Sequence, residues 1–362
     1  MIPMVDLHRQ YLSIQREIDT AIGKVLDQCQ FILGPNVSEL EKEIAAYHGD
    51  GHAIGVANGT DALLLALQAC GIGAGDEVIT TPFTFIATAE VVGQLNAIPV
   101  FVDIDPVTFN IDVAQIEKKI TGKTKAIVPV HLFGLPADMD PIMDLSRKYN
   151  VKVIEDCAQA FGAEYRGRKV GTIGDCGCFS FFPSKNLACY GDGGMVITRE
   201  QSVAEHIRVL RNHGSRIRYH HHTLGWNSRL DEIQAAILRI KLQKIDAFNN
   251  ARRQAADLYR QFIKREGIVP PSEKAGCRHV YHQFTIRTAE RELLAAALNK
   301  NGIASAIYYP VPLHKQEVFA DMPASGDLVN SELCAQDVLS LPIFPELRED
   351  EIRLISDIIN QA

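Results

Sequence analysis

The sequence has no unbroken apolar run of the roughly 18 residues that a bilayer-spanning helix needs, so no membrane partner is expected. It also lacks an excess of basic charge. Lys and Arg number 37 against 44 Asp and Glu, a net charge of -7, which gives no reason to expect nucleic acid as a partner. Its short basic clusters, Arg216, Arg218 and Arg252-Arg253, are interrupted and read as solvated surface. The eight cysteines lack the spacing of a zinc site: Cys176-Gly177-Cys178 has no second pair, and two neighbouring strand residues explain it better than a metal. Scattered cysteines in a chain of this size fit reduced thiols and a cytoplasmic location. Residues 1–28 carry charges throughout and lack the apolar core of a signal peptide. Tyr11, Leu12, Ile14, Ile18, Ile22, Val25 and Leu26 recur at helical spacing there and predict an amphipathic helix. Internal repeats and low-complexity tracts are absent.

What is present is a globular balance, 46% apolar and 22% charged, over 362 residues, enough for two domains. From residue 52 to 155 short strand-like runs alternate with helix-like ones. Ala53–Ala57 precedes a helix over Asp61–Cys70, Glu77–Thr80 one over Ala87–Leu95, and Ile98–Val102 one over Val113–Ile120. Lys125–His131 precedes a helix over Met139–Tyr149, and Val151–Ile154 closes the series. Such alternation implies crossover units and an α/β fold with a mostly parallel sheet, whose ligands bind beyond the carboxyl ends of the strands. Cys176–Phe182 and Gly194–Thr198 read as adjacent strands joined by a polar, Gly-rich connection. One long helix is expected over Leu230–Lys264, then renewed alternation at Tyr281–Arg287, Glu290–Asn301 and a final helix after Glu349. The expected division is a large domain, 1–246, and a small C-terminal α/β domain, 247–362.

Three segments fall where strands give way to loops. Ala57-Asn58-Gly59-Thr60-Asp61 turns from strand to helix, with Gly59 allowing a tight turn and the following amides pointing toward an anion. An ordinary junction with Thr60 or Asp61 as helix cap is the plainer alternative. Ile154-Glu155-Asp156 ends an apolar strand, and a carboxylate there stays ionised only beside a cation; Asp156 as a simple cap is equally compatible. Ser184-Lys185, just past a strand and beside the Gly-rich Tyr190–Gly194, places an amine where desolvation can make it nucleophilic, although a lone lysine is usually a surface charge. Together an anion-binding helix start, an acid for a ring nitrogen and a Schiff-base lysine are the parts a pyridoxal 5′-phosphate enzyme requires. Two further signals are set aside. Gly71-Ile72-Gly73-Ala74-Gly75 follows a helix and precedes a strand, the wrong order for a dinucleotide loop. Asp103, Asp105 and Asp112 lack the glycine and final glutamate of a calcium loop.

Asn58-Gly59-Thr60-Asp61-Ala62-Leu63, the stretch from Glu155 to Ala163, and Phe179-Ser180-Phe181-Phe182-Pro183-Ser184-Lys185-Asn186-Leu187 resemble the sugar aminotransferases of the DegT/DnrJ/StrS family. The resemblance runs from Asp6-Leu7 through Ile32-Leu33-Gly34-Pro35 and Asn227-Ser228-Arg229-Leu230-Asp231 to Tyr309-Pro310, and each motif is weak until their order and spacing are combined. It implies an aspartate-aminotransferase-like fold and a homodimer with shared sites. Lys185 would bind the cofactor covalently and then act as general base and acid, and Asp156 would pair with the pyridinium nitrogen. Gln159 would reach the ring hydroxyl and Phe85 would stack on the ring. Gly59, Thr60 and Ser180 would hold the phosphate, joined by Asn227 from the neighbouring subunit. His220, Arg229, Tyr309 and His314 would touch substrate, and Tyr219-His220-His221-His222 is placed near it rather than on a metal. The implied partners are a nucleotide-linked keto sugar and an amino-acid donor, glutamate, in polysaccharide or O-antigen biosynthesis. Tyr308 stands where relatives often carry His, which bears on sugar recognition, and Ala188-Cys189 where they commonly carry Gly and a small or aromatic residue.

Rival readings are a hydroxyl-removing relative, which would carry His in place of Lys185, a 4-keto sugar aminotransferase, and a non-catalytic regulatory protein free to lose Lys185, Asp156 or Gln159. The stretch from Asn212 to Arg229 is most similar to enzymes that aminate C-3. The expected substrate is therefore a UDP-linked 3-keto-2-acetamido-hexuronate or a dTDP-3-keto-6-deoxyhexose, with the Arg229 fork favouring the hexuronate carboxylate.

Overall fold

The structure, a computed structural model, describes residues 1–49, 51–320 and 326–362. Its strands in chain order begin with β1 (His52–Val56), β2 (Glu77–Thr80), β3 (Ile98–Phe101), β4 (Thr124–Ile127) and β5 (Lys152–Asp156). A hairpin of β6 (Glu164–Tyr165) and β7 (Arg168–Lys169) follows, then β8 (Cys176–Ser180) and β9 (Gly194–Thr198). The central sheet has the order β1-β9-β8-β5-β4-β2-β3. All neighbours from β8 to β3 are parallel, and only β9 runs against its neighbours, β1 and β8. Val56 and Ser180 both pair with Gly194, and Asp156 pairs with Cys178. The carboxyl ends of β1, β5 and β8 therefore meet along one rim.

The strands are apolar on both faces because helices cover both, as a parallel sheet requires. Ile54, Val56, Cys176, Cys178 and Val196 pack against the helix Gly59–Ala69. Ala53, Phe179, Met195 and Ile197 face the other way, onto Val37, Leu40 and Ile44 of the helix Pro35–Tyr47 and Ala235 and Leu238 of Glu232–Leu242. No helix among the described residues is long and apolar enough to cross a membrane.

Beyond the sheet lie the short pair β10 (Ser215–Ile217) and β11 (His220–His221), β12 (Cys277–Arg278) beside β6, and the antiparallel pair β13 (Phe284–Arg287) and β14 (Val338–Leu341). A second core forms around β13 and β14 with Leu294, Leu298, Ile352, Ile355 and Ile359, and it takes in Ile2, which bridges to Ile303.

Three expected elements come out differently. The single helix over Leu230–Lys264 is two, Glu232–Leu242 and Ile245–Phe262. The break at Gln243-Lys244 lets Leu242 and Ile245 join the core under the large sheet while Ala255, Ala256 and Tyr259 turn into the second core. The strand expected over Lys125–His131 stops at Ile127, because Pro129 has no N–H to continue the ladder and only a lone bridge, Val130 to Asp156, follows. The helix expected over Val113–Ile120 is α-helical to Ile116 and tightens to a 3-10 turn over Glu117–Lys119.

Strand β8 is pressed against the 171–174 loop so closely that a Cβ on Gly177 would lie 2.2 Å from the Gly171 Cα. Backbone lies on both sides, so the contact cannot relax cheaply. Gly177→Ala should cost at least ~3 kcal/mol. Gly73→Ala, whose Cβ would meet nothing within 4 Å, should leave the urea midpoint almost unchanged.

Candidate active site

Strand β5 ends in two carboxylates, and alternation sends them to opposite sides of the sheet. Glu155 turns inward and is fully engaged. It receives the amides of Gly171, Ile173 and Gly174, each at 2.8 Å, and His131 Nε2 at 3.0 Å. His131 Nδ1 accepts the Ala137 amide at 2.9 Å, so Nε2 carries the ring proton and donates it to Glu155. Burial works to raise the Glu155 pKa, but His131 and the loop amides outweigh it and hold the group below its ordinary value. Cys157 lies near this pair, yet the imidazole has no free lone pair for a metal, and Glu155, His131 and the loop amides act as a brace under the strand end.

Asp156 turns outward into a cavity of about 830 Å³ and is only 5% exposed. Thr88 donates to its Oδ2 at 2.8 Å and the Ala158 amide to its Oδ1 at 3.1 Å. Thr88 is itself within 3.2 Å of the Thr84 hydroxyl. These donors do not saturate a carboxylate, which has about four lone-pair sites. Burial pushes its pKa up, partly offset by Thr88, Ala158 and the charge of Lys185. Such a group is ready for a cation on the cavity side.

Lys185 enters the same cavity from the loop after β8. Its backbone N–H closes a turn onto the Phe182 carbonyl at 2.8 Å, while Nζ has no hydrogen-bond partner among the described residues. Burial lowers its pKa from 10.5 to about 8, with Asp156 acting in the opposite direction. The amine is therefore partly neutral near physiological pH, as a nucleophile or proton carrier must be.

The third wall is the start of the helix Gly59–Ala69. Its cap is Asn58, whose Oδ1 accepts the Asp61 amide at 2.8 Å, rather than Thr60 or Asp61. The Ala62 amide bonds the Asn58 carbonyl at 3.1 Å, so the two first-turn amides left unpaired are those of Gly59 and Thr60. A Cβ on Gly59 would lie 2.6 Å from the Ser180 Cβ, so only glycine lets this helix start approach the end of β8. Two free amides, a helix dipole and the Ser180 hydroxyl make a cradle for a dianionic phosphate.

Gln159 lines the cavity, donating from Nε2 to the Tyr309 hydroxyl at 3.0 Å and accepting the Phe133 amide at 2.7 Å. One Nε2 hydrogen remains for a ligand. Phe85, 56% exposed, lies with its ring centroid 6.5 Å from that of Tyr309 at the cavity wall. The structure thus brings together Gly59, Thr60, Phe85, Asp156, Gln159, Ser180, Lys185 and Tyr309.

Four expected residues lie elsewhere in this chain. Asn227 is exposed and bridges to Asn212, and Arg229 donates to the Asn212 side chain at 3.2 Å. His220 is exposed on β11. His314 is paired with Glu332 at 3.0 Å, away from the cavity lining. Sequence reasoning missed Thr88, His282, Gln283, Glu90 and Asp192, all of which line the cavity. Thr88 stands in the first turn of the helix Ala87–Gln94, and nothing in the local sequence distinguishes it from any other helical threonine.

The model of the DegT/DnrJ/EryC1/StrS aminotransferase family matches residues 12–360. The chain belongs to that family. It is 52% identical to the UDP-N-acetyl-3-dehydro-α-D-glucosamine 3-aminotransferase of Acidithiobacillus ferrooxidans, over 100% of this chain and 98% of that one. It is 45% identical to the UDP-2-acetamido-2-deoxy-3-oxo-D-glucuronate aminotransferase of Pseudomonas aeruginosa, over 98% of both. Among solved structures, S. venezuelae DesV superimposes with a TM-score of 0.97 at 43% identity, covering 99% of this chain and 98% of that one. The chain is an aminotransferase with the fold of these enzymes.

In the cofactor-free protein, the pH dependence of Lys185 acylation by a trace label should show a midpoint near 8, against 10.5 for an ordinary lysine. Asp156 favours the ammonium form, so Asp156→Asn should move that midpoint lower. Competitive labelling read by peptide mass measures both.

Proposed function

We propose that this aminotransferase binds pyridoxal 5′-phosphate and moves an amino group from glutamate to C-3 of a UDP-linked 2-acetamido-3-keto hexose. The observation that carries the cofactor assignment is the convergence of a partly neutral lysine, an unsaturated carboxylate and two free helix amides on one cavity. When bound, pyridoxal phosphate supplies the electron sink; the chain supplies placement and proton control. The Gly59 and Thr60 amides with the Ser180 hydroxyl hold the phosphate. Asp156, positioned by Thr88 and Ala158, keeps the ring nitrogen protonated, and burial strengthens that pairing. Gln159 orients the ring hydroxyl and Phe85 covers a ring face. Lys185 would anchor the cofactor, and its Nζ would hold and move the proton at the reacting carbon.

The sugar class is supported by the two relatives, which share a UDP carrier, a 2-acetamido group and a 3-oxo group in their names and differ at C-6. That difference leaves the hexuronate carboxylate to Arg229 as the second reading, since among the described residues its guanidinium fork bonds only Asn212. The regulatory alternative is disfavoured because Lys185, Asp156 and Gln159 are all in place and share one cavity. Asn227 and Arg229, exposed or half-buried and outside this chain's cavity, would serve the site of a second copy in a homodimer.

Borohydride reduction of the loaded enzyme should fix the cofactor on Lys185 in a peptide map, and Lys185→Ala should abolish transamination. Across a panel of 3-keto and 4-keto nucleotide sugars, the UDP-linked 2-acetamido-3-keto compounds should give the highest kcat/KM. Preferential amination at C-4 overturns the positional assignment. If Arg229→Ala reduces turnover of the hexuronate no more than that of its C-6 alcohol, the carboxylate contact fails.

The shared site is tested by mixing Lys185→Ala and Asn227→Ala parents. Heterodimers should regain activity through one intact site, and mixed dimers that form without regaining it rule out sharing.

A further inference from the structure

The cysteines of the Cys176-Gly177-Cys178 run find no part in transamination, and the structure shows where they point. Gly177 faces Gly171, so Cys176 and Cys178 both face the helix Gly59–Ala69. Cys178 Sγ lies against its first turn, 3.4 Å from the Ala62 carbonyl. Cys176 Sγ lies at its far end, 3.8 Å from Sγ of Cys70, the helix C-cap.

The two sulfurs differ in kind. Cys176 is fully buried and Cys70 half-buried. The hydrogen bond with Cys176 lowers the Cys70 pKa against the effect of burial; of the neighbouring ion pair, Asp175 raises it and Lys152, 2.7 Å from Asp175, lowers it. The same contact and its own burial keep Cys176 protonated. A half-buried sulfur with a lowered pKa, 3.8 Å from a second, buried and protonated sulfur, is the arrangement of a two-cysteine peroxide-reactive pair.

We propose that Cys70 and Cys176 are a modification site at which a hydroperoxide drives formation of an intramolecular disulfide. The Cys70 thiolate attacks the hydroperoxide, the O–O bond breaks, and Cys70 becomes a sulfenic acid while the departing alkoxide or hydroxide takes up a proton. Cys176 then gives up its thiol proton and attacks the Cys70 sulfur. The S–S bond forms, the S–O bond breaks, and water leaves. Two thiols and one hydroperoxide give one disulfide, water and one alcohol or second water, the two electrons passing from sulfur to the O–O bond. The link joins residues 106 apart in sequence and ties the end of the phosphate-binding helix to the base of β8.

The test exposes the holoenzyme to a small molar excess of hydrogen peroxide, blocks free thiols with N-ethylmaleimide and maps peptides without reductant. A Cys70–Cys176 linked peptide is expected, lost on treatment with dithiothreitol and absent from Cys70→Ser and from Cys176→Ala. Cys70→Ser should keep basal transamination, because Cys70 does not line the cavity. Cys29 is the exposed internal control. Oxidation of Cys29 with Cys70 and Cys176 both recovered as maleimide adducts overturns the proposal. So does recovery of Cys70 as a sulfinic acid without the link.

Discussion

The constraint on which the site depends is the end of β5, where one dipeptide has to satisfy two opposite demands. Glu155 consumes every acceptor position it has on the 171–174 loop and His131, while Asp156 keeps acceptor capacity free. A strand slip of one residue would exchange their faces, putting the saturated environment around the acid that must stay available. The brace on Glu155 therefore fixes the register, and with it the direction in which Asp156 points. The main chain adds to this: the Asp156 amide bonds the Pro129 carbonyl and its carbonyl accepts the His131 amide, so the residue is held from the β4 side as well.

The remaining groups reach Asp156 through that rim. Gly59 and Ser180 can touch because β1 and β8 both border β9, and the pairing of Val56 and Ser180 with Gly194 sets the helix start level with the lysine loop. Burial then does two things at once. It raises the proton affinity of the acid and lowers that of the amine, drawing the two groups toward one another in pKa. Each limits the other's shift through its charge, while burial remains the larger cause for both.

Much of this was legible from local sequence. Strand-end motifs at Gly59, Asp156 and Lys185 carry their own chemistry, and parallel topology places all strand ends on one side, so their convergence could be expected. Glu77–Thr80, Met139–Tyr149 and Gly194–Thr198 fell where periodicity put them. What could not be read depends on distant packing. The break at Gln243-Lys244 has neither Gly nor Pro to signal it and is imposed by two separate cores. Thr88 looks like any helical threonine until Asp156 is beside it. His282 and Gln283 join the cavity because 133 and 134 hold their segment by backbone bonds, a contact between stretches almost 150 residues apart that no spacing encodes. Asn58 outcompeted Thr60 as the cap because its short carboxamide reaches the third amide ahead, leaving the first two open.

The antiparallel return of β9 has a mechanical meaning. The segment bearing Lys185 is a loop with both feet clamped, since Ser180 pairs with Gly194 and the Phe181 amide bonds the Gly193 carbonyl at 2.8 Å. A crossover helix in that place would let the nucleophile drift with the motions of an outer layer. A clamped loop instead moves only as its two strands move, and those strands are interior members of the sheet. The lysine is thus tied to two interior strands of the central sheet, and across the cavity from it stand 282–283 and 308–309, which belong to no strand or helix.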